Sequence, residues 1–283
     1  MKTETHLERE RAWADALIAR MRESRDTGLG WVKPWSGLTT GHYNPVSDWV
    51  FQGGNAMGMT LHNLAYGTTS IYWIGKGQVK RKGWRIRKGA KLCPIQRPIP
   101  IPVEDEEDGT ITIFRAAWMA NGDDVEGFEP PELPEPKASS LGASELLEHL
   151  GRSGAKVLEG EGFSPSYAPV QDVIRMPPAG VFRSAEDHVS TLAHEHVHWT
   201  GHETRLKREQ KGRFGSKEYA FEELVAEMGA SFLAERFGVP DEGLQHTEYL
   251  AHWIELLEET PEVILKAARL ASSGADYLQS VTV

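Results

Sequence analysis

The chain has 283 residues, 40% hydrophobic and 25% charged, with a formal net charge of −10; such a composition buries one large core or two smaller ones and excludes disordered and collagen-like classes. No apolar run reaches the ~18 residues of a membrane span, and the N-terminal MKTETHLERERAWADALIAR is charged where a signal peptide is apolar, so a cytoplasmic chain without membrane contact is expected. The charge is uneven: residues 1–98 hold 16 Lys+Arg and 7 Asp+Glu, a net +9 that leaves −19 for the rest and implies two modules with different partners.

In chain order, residues 6–24 place Leu7, Trp13, Leu17, Ile18 and Met21 near one stripe, predicting a first helix. Short strands and loops are expected through WVKPW (31–35), HYNP (42–45), DWVFQGGN (48–55) and TSIYWI (69–74). GKGQVKRK reads as a short helix, WRIR as a strand, and KLCPIQRPIPIPV as an edge strand, because proline cannot donate to a ladder. DGTITIFRAAWM (108–119) alternates as a strand. The lone Cys93 excludes an internal disulfide and is expected to be inert. Between Glu126 and Ser140, four prolines interleave with four glutamates and leave little to bury, predicting a linker.

Beyond it, SELLEHLGRSG reads as a helix, QDVIRMP (171–177) as a strand, and 184–201, 219–238, 248–259 and 261–278 as helices. The expected fold is α+β in two domains: a mixed N-terminal domain over 1–128, a linker over 129–140, and a mainly helical domain with a small sheet over 141–283.

Within the 184–201 helix, His194, Glu195 and His198 fit H-E-x-x-H. At 100° per residue His198 lies about 40° round from His194 and one turn along, so both imidazoles reach one Zn²⁺. Glu195 flanks them, within reach of water rather than of the ion, whereas His196 points elsewhere. His202 continues the series but stands about 12 Å from His194 along a straight helix. A third ligand is expected from YAFEELVAE, where Glu223 and Glu227 share a face, one on the metal and the other supporting a histidine. Glu222 is expected on a solvated face, and Tyr219 as a packing residue.

In the first half, Lys76, Lys80, Arg81, Lys82, Arg85, Arg87, Lys88, Lys91 and Arg97 occur with no acid between residues 71 and 98. Trp73 and Trp84 interleave with them, and Trp31 and Trp35 precede them. Cations that track phosphates and rings that stack unpaired bases predict a site for single-stranded nucleic acid.

These motifs resemble the ArdC-type antirestriction proteins of conjugative plasmids and phages. The resemblance runs through DVIRMP, TLAHEHVHWTGHETRL, YAFEELVAE, AHWIELL and AARLASSGADYL, and upstream through KPW, Gly53-Gly54-Asn55, W-x-G-K-x-Q-V and R-K-G-A-K. Trp49-Val50-Phe51 departs from the usual tyrosine-glycine surroundings. The resemblance implies a single-stranded-DNA-binding domain joined to a zincin-like metallopeptidase domain, with His194, His198 and Glu223 as ligands and Glu195 as base. It also implies that DNA entering a new host is shielded from restriction. Zn²⁺ is the expected ion, with Mn²⁺ or Co²⁺ also suited, and a peptide or protein the expected substrate. Two other readings stay open: a DNA-coating protein whose zincin half is only a scaffold, and a metallopeptidase whose basic segment binds another protein.

Overall fold

The computed structural model describes residues 5–27, 33, 41–102, 110–132, 142–210, 212–213, 215–240 and 250–281. Two compact units emerge, Met1–Thr39 with Glu135–Val283, and Thr40–Pro134. The expected boundaries differ from this division at the first helix, α1 (His6–Thr27). Its stripe of Trp13, Leu17, Ile18 and Met21 is buried within the unit that contains α7 (Leu250–Glu259), and Arg11 Nη1 donates to Glu258 O at 2.9 Å. Leu7, expected in that stripe, is exposed in the first turn. Most of the expected linker, residues 133–140, lies outside the described residues.

In the unit Thr40–Pro134, β1 (His42–Asn44) pairs antiparallel with β2 (Trp49–Phe51). The next element is α2 (Gly53–Tyr66), a helix where strands and loops were expected. Three glycines in GGNAMGMTLHNLAY weaken its helical propensity, but burial of Ala56, Met57, Met59 and Leu61 outweighs that deficit, and Gly67 closes it in the left-handed region at φ 69°. Then follow β3 (Trp73–Gly75), α3 (Lys76–Arg81), β4 (Arg85–Ile86), β5 (Leu92–Pro102), β6 (Thr110–Asn121) and β7 (Val125–Glu126). The sheet order is β3-β6-β5, with β4 and β7 forming a separate pair.

As expected, β5 is an edge. Its prolines fall at alternate positions 94, 98, 100 and 102, so the missing N–H groups all belong to the side facing away from β6. On that open side Asn55 pairs with the backbone of Gln96, donating to its carbonyl and accepting from its N–H at 2.9 Å each. A buried polar chain also crosses this unit. Trp73 Nε1–H donates to His42 Nδ1 at 2.9 Å, and His42 Nε2 lies 3.0 Å from Thr60 Oγ1.

In the other unit, α4 (Gly142–Gly151) precedes β8 (Lys156–Glu159), β9 (Ser166–Ala168) and β10 (Val173–Met176). These form a sheet of order β8-β10-β9, parallel on one side and antiparallel on the other. The strand within QDVIRMP is therefore central. Both its ladders are filled, so it offers no free edge to an extended peptide.

Next come α5 (Ala185–Thr200), α6 (Lys217–Phe237), α7 and α8 (Val263–Ser280). Ser184 caps α5 by accepting from Asp187 N at 3.1 Å. α6 is buried almost all round, from Ala220 to Ala234, and packs against α4, α5, α7 and α8. Its Gly229 meets α5 at Val197, where an added Cβ would stand 2.8 Å from both methyls. Beyond α5, Arg205 stacks on Trp199 at 3.9 Å and donates to Asp172 and Tyr167, tying the sheet to the helix end. Among the described residues no helix is long and apolar enough to cross a membrane.

Candidate metal centre and basic surface

The close crossing at Gly229 lets α6 bring its carboxylates to the α5 imidazoles. The Nε2 atoms of His194 and His198 stand 3.2 Å apart, and Glu223 approaches the first with Oε2 at 3.4 Å and the second with Oε1 at 3.5 Å. A tetrahedral ion with bonds of about 2.0–2.1 Å sets its donors roughly 3.3 Å apart. The three side chains match that spacing, and one donor atom from each lies within 4.8 Å of the others.

The outer nitrogen of each imidazole faces a second carboxylate. His194 Nδ1 lies 3.2 Å from Glu227 Oε2, and His198 Nδ1 lies 3.2 Å from Glu222 Oε1. Each of these carboxylates meets a buried cation. Lys33 Nζ is 2.6 Å from Glu227 Oε1, and Arg208 grips Glu222 with two nitrogens, at 2.8 and 3.2 Å. Arg208 also donates to Val197 O and Thr200 Oγ1, and Gln210 donates to His198 O at 2.6 Å and to Glu222 Oε1 at 3.1 Å.

Glu195, Glu222, Glu223 and Glu227 are all buried. Arg208 matches Glu222 and Lys33 matches Glu227, and Glu223 brings a further carboxylate to the two imidazoles. The surroundings of the two imidazoles favour positive charge on them. Burial works against a charged His198, yet its hydrogen bonds to Glu222 and Glu223 prevail and lift it to about 9. Burial likewise opposes charge on His194, but Glu223 and Glu227 raise it well above the ordinary value. Burial raises Glu222, but His198 and Arg208 hold it down at about 2, and the two histidines press Glu223 far below the carboxylate range. A field that favours imidazolium favours a divalent cation for the same reason.

The expectation of a solvated Glu222 is overturned, because the helix is enclosed on that flank by Arg208 and Gln210. His196 is a core residue, its Nδ1 2.8 Å from Leu192 O, and burial depresses it to about 4. His202 stands outside the cluster, with Nδ1 2.8 Å from Thr204 Oγ1.

In the unit Thr40–Pro134, Lys76, Lys80, Arg81, Lys82, Arg85, Arg87 and Lys88 are exposed along α3 and β4. Arg87 approaches Asp124 at 3.8 Å. The aromatic expectations need correction. Trp73 is fully buried, with its indole N–H committed to His42, so it offers no face for stacking. Trp84 is half-buried, packed edge-on against Phe128 with ring centres 5.2 Å apart. Trp31 and Trp35 lie outside the described residues. The exposed rings are instead Trp49 (60%), Phe114 (66%) and Trp118 (42%). Phe114 and Trp118 share one face of β6, since side chains alternate along a strand.

Comparison with known proteins finds two families along the chain, with residues 9–39 matched to the N-terminal one although they belong to the compact unit of the other. Residues 145–270 match the zincin-like metallopeptidase family, and residues 9–127 match the N-terminal domain of anti-restriction factor ArdC. The crystal structure of the antirestriction ArdC protein from the R388 plasmid is similar across almost the whole chain. Its metal-free form has a TM-score of 0.68 at 31% identity, covering 96% of this chain and 97% of that one. Its Mn(II)-bound form has a TM-score of 0.70 at 30% identity, covering 97% and 98%.

The chain belongs to the ArdC antirestriction family. Two proteins named DNA primase TraC, both from Escherichia coli, are 29% and 31% identical over 98% and 93% of this chain, which spans 20% and 27% of their own lengths. For this ArdC-family chain, sequence reasoning missed Glu222, Arg208, Lys33, Phe114 and Trp118. Glu222 carried one signal: two histidines 40° apart on a helix need outer partners spread around the facing helix, and Glu222 and Glu227 flank Glu223. Lys33 and Arg208 meet their partners through tertiary contact alone.

Proposed function

We propose that this chain is an antirestriction protein that binds single-stranded DNA through the unit Thr40–Pro134, hydrolyses a peptide bond at a zinc centre in its other unit, and protects plasmid or phage DNA entering a new host. His194, His198 and Glu223 would hold the ion, with Glu227 and Glu222 behind the imidazoles. When bound, zinc supplies Lewis acidity that polarises a carbonyl and acidifies water; Mn²⁺ or Co²⁺ suits the same donors. Glu195, buried on α5 beside His194, acts as the base, accepting a proton from the attacking water and delivering it to the departing amine. The observation that carries this reading is the spacing of the three donors, 3.2 to 3.5 Å, which is the separation that a single tetrahedral ion sets between its ligands.

For DNA, the exposed cations of α3 and β4 contact phosphates, and Phe114 and Trp118 replace Trp73 as stacking faces. Zincin-family and ArdC-family membership supports both halves of this reading, and likeness to DNA primases supports the nucleic acid. The test combines three variants. Glu195→Ala keeps bound metal and DNA affinity but loses cleavage of a fluorogenic peptide library, whereas His194→Ala loses the metal. Neutralising Lys80, Arg81, Arg85 and Arg87 removes DNA binding, whose log-log salt slope for about six phosphates is about −4. In transfer of unmodified plasmid into a restricting host, Glu195→Ala abolishes protection. Protection that persists in Glu195→Ala and vanishes with the basic residues refutes a proteolytic role and leaves coating of the DNA.

A further inference from the structure

Glu227, which stands behind His194, is 1% exposed, and Lys33, which faces it, is 2% exposed. Lys33 Nζ lies 2.6 Å from Glu227 Oε1 and 3.5 Å from Ser231 Oγ, one turn further along α6. The other oxygen of Glu227 is 3.2 Å from His194 Nδ1. Ammonium, carboxylate and imidazole therefore form a buried line that ends on the outer nitrogen of His194, whose other nitrogen faces His198 and Glu223. The line Arg208–Glu222–His198 repeats the arrangement on the second imidazole. Burying a lysine is costly unless its charge is matched, so an apolar residue would serve packing better at this position. What a lysine adds is control over where the carboxylate points. Lys33 also stands outside the residues that match the zincin family, 145–270, and inside those that match the ArdC N-terminal domain, 9–127, yet it belongs to the same compact unit as α6.

We propose that Lys33 is a positioning residue of the metal centre. Its ammonium holds Glu227 Oε1, which aims Oε2 at His194 Nδ1 and turns Nε2 toward His198 and Glu223. The centre is thus completed by a side chain from outside the zincin segment, and residues 145–270 alone form an incomplete site. This inference rests on the reading of the cluster as a metal centre.

The test is titration of the metal-stripped full chain with Co²⁺, whose visible absorption reports both affinity and coordination geometry. The parent takes up one ion with the intense band of a four-coordinate site. Lys33→Met weakens uptake about tenfold to a hundredfold and shifts the band, and Lys33→Arg restores most of both. In a Glu227→Gln background, Lys33→Met adds no further loss, because the line is already broken. Far-UV circular dichroism checks folding, and Lys33→Gln, which keeps a polar contact without the charge, is the second variant if Lys33→Met does not fold. Uptake by the Lys33 variants with the parent's affinity and band overturns the proposal while leaving the metal centre intact, as does full additivity with Glu227→Gln. A parent that takes up no Co²⁺, or takes it up no better than His194→Ala, overturns the metal reading itself and this inference with it.

Discussion

His42 makes the unit Thr40–Pro134 acid-sensitive by a calculable amount. Its ring is buried, accepts the Trp73 indole N–H at Nδ1 and carries its own proton on Nε2 toward Thr60. Protonation would set an N–H against the indole N–H, and burial lowers His42 from 6.5 to about 4. A depressed histidine binds more protons unfolded than folded between those two values, so stability is complete above about pH 6.5 and falls as the pH drops toward 4. At 1.36 kcal/mol per unit, the loss is about 2 kcal/mol at pH 5 and about 3 kcal/mol at pH 4. Hydrogen exchange of peptides covering β1, α2 and β3 reads this unit separately. The expected result is protection that weakens by about 2 kcal/mol between pH 7 and pH 5, after correction for intrinsic exchange rates. A His42→Gln variant, less stable at pH 7, lacks the histidine share of the pH dependence, so the difference between variant and parent isolates it from carboxylate titration. An identical pH slope in parent and variant would falsify the assignment.

Glu235 on α6 carries the opposite sign. Desolvation raises it to about 7 despite the adjacent Arg236, so it costs stability as the pH rises from 4.5 through 7. Glu235→Gln should raise the unfolding free energy measured in urea at pH 8 by about 1–2 kcal/mol, after allowance for its partial exposure, and leave it unchanged at pH 4. Gly229→Ala should cost about 1–3 kcal/mol in chemical denaturation by forcing α5 and α6 apart at Val197, and should weaken metal uptake, because the same crossing brings Glu223 to the histidines. Glu222→Gln should lower metal affinity about tenfold or more in a competition titration with a chelator; unchanged affinity would show that His198 needs no outer carboxylate.

The helices of the second half were legible because each carries its own local signals. Ser184 caps α5, the H-E-x-x-H spacing places two imidazoles on one face, and the four-residue step between Glu223 and Glu227 places two carboxylates on another. β5 and β6 were legible for a similar reason, since alternation and proline parity are visible residue by residue. α2 was not, because its glycines disfavour a helix and only burial of its methionines and Leu61 tips the balance back. Trp73 reads as a stacking residue beside a run of cations, and only the packed unit shows that its indole belongs to His42.

Periodicity along one chain determines which faces a helix or strand possesses, so the sequence alone determined that His194, His198 and Glu195 lie on one turn of helix and that a positive segment lies far upstream. It does not determine which faces meet. That Glu222 lies against Arg208, that Lys33 stands behind Glu227 across 194 positions, and that Phe114 and Trp118 stay in water are outcomes of helix crossing and sheet order. Those are settled by how the whole core closes, because buried charges accept only partners that arrive at hydrogen-bonding distance.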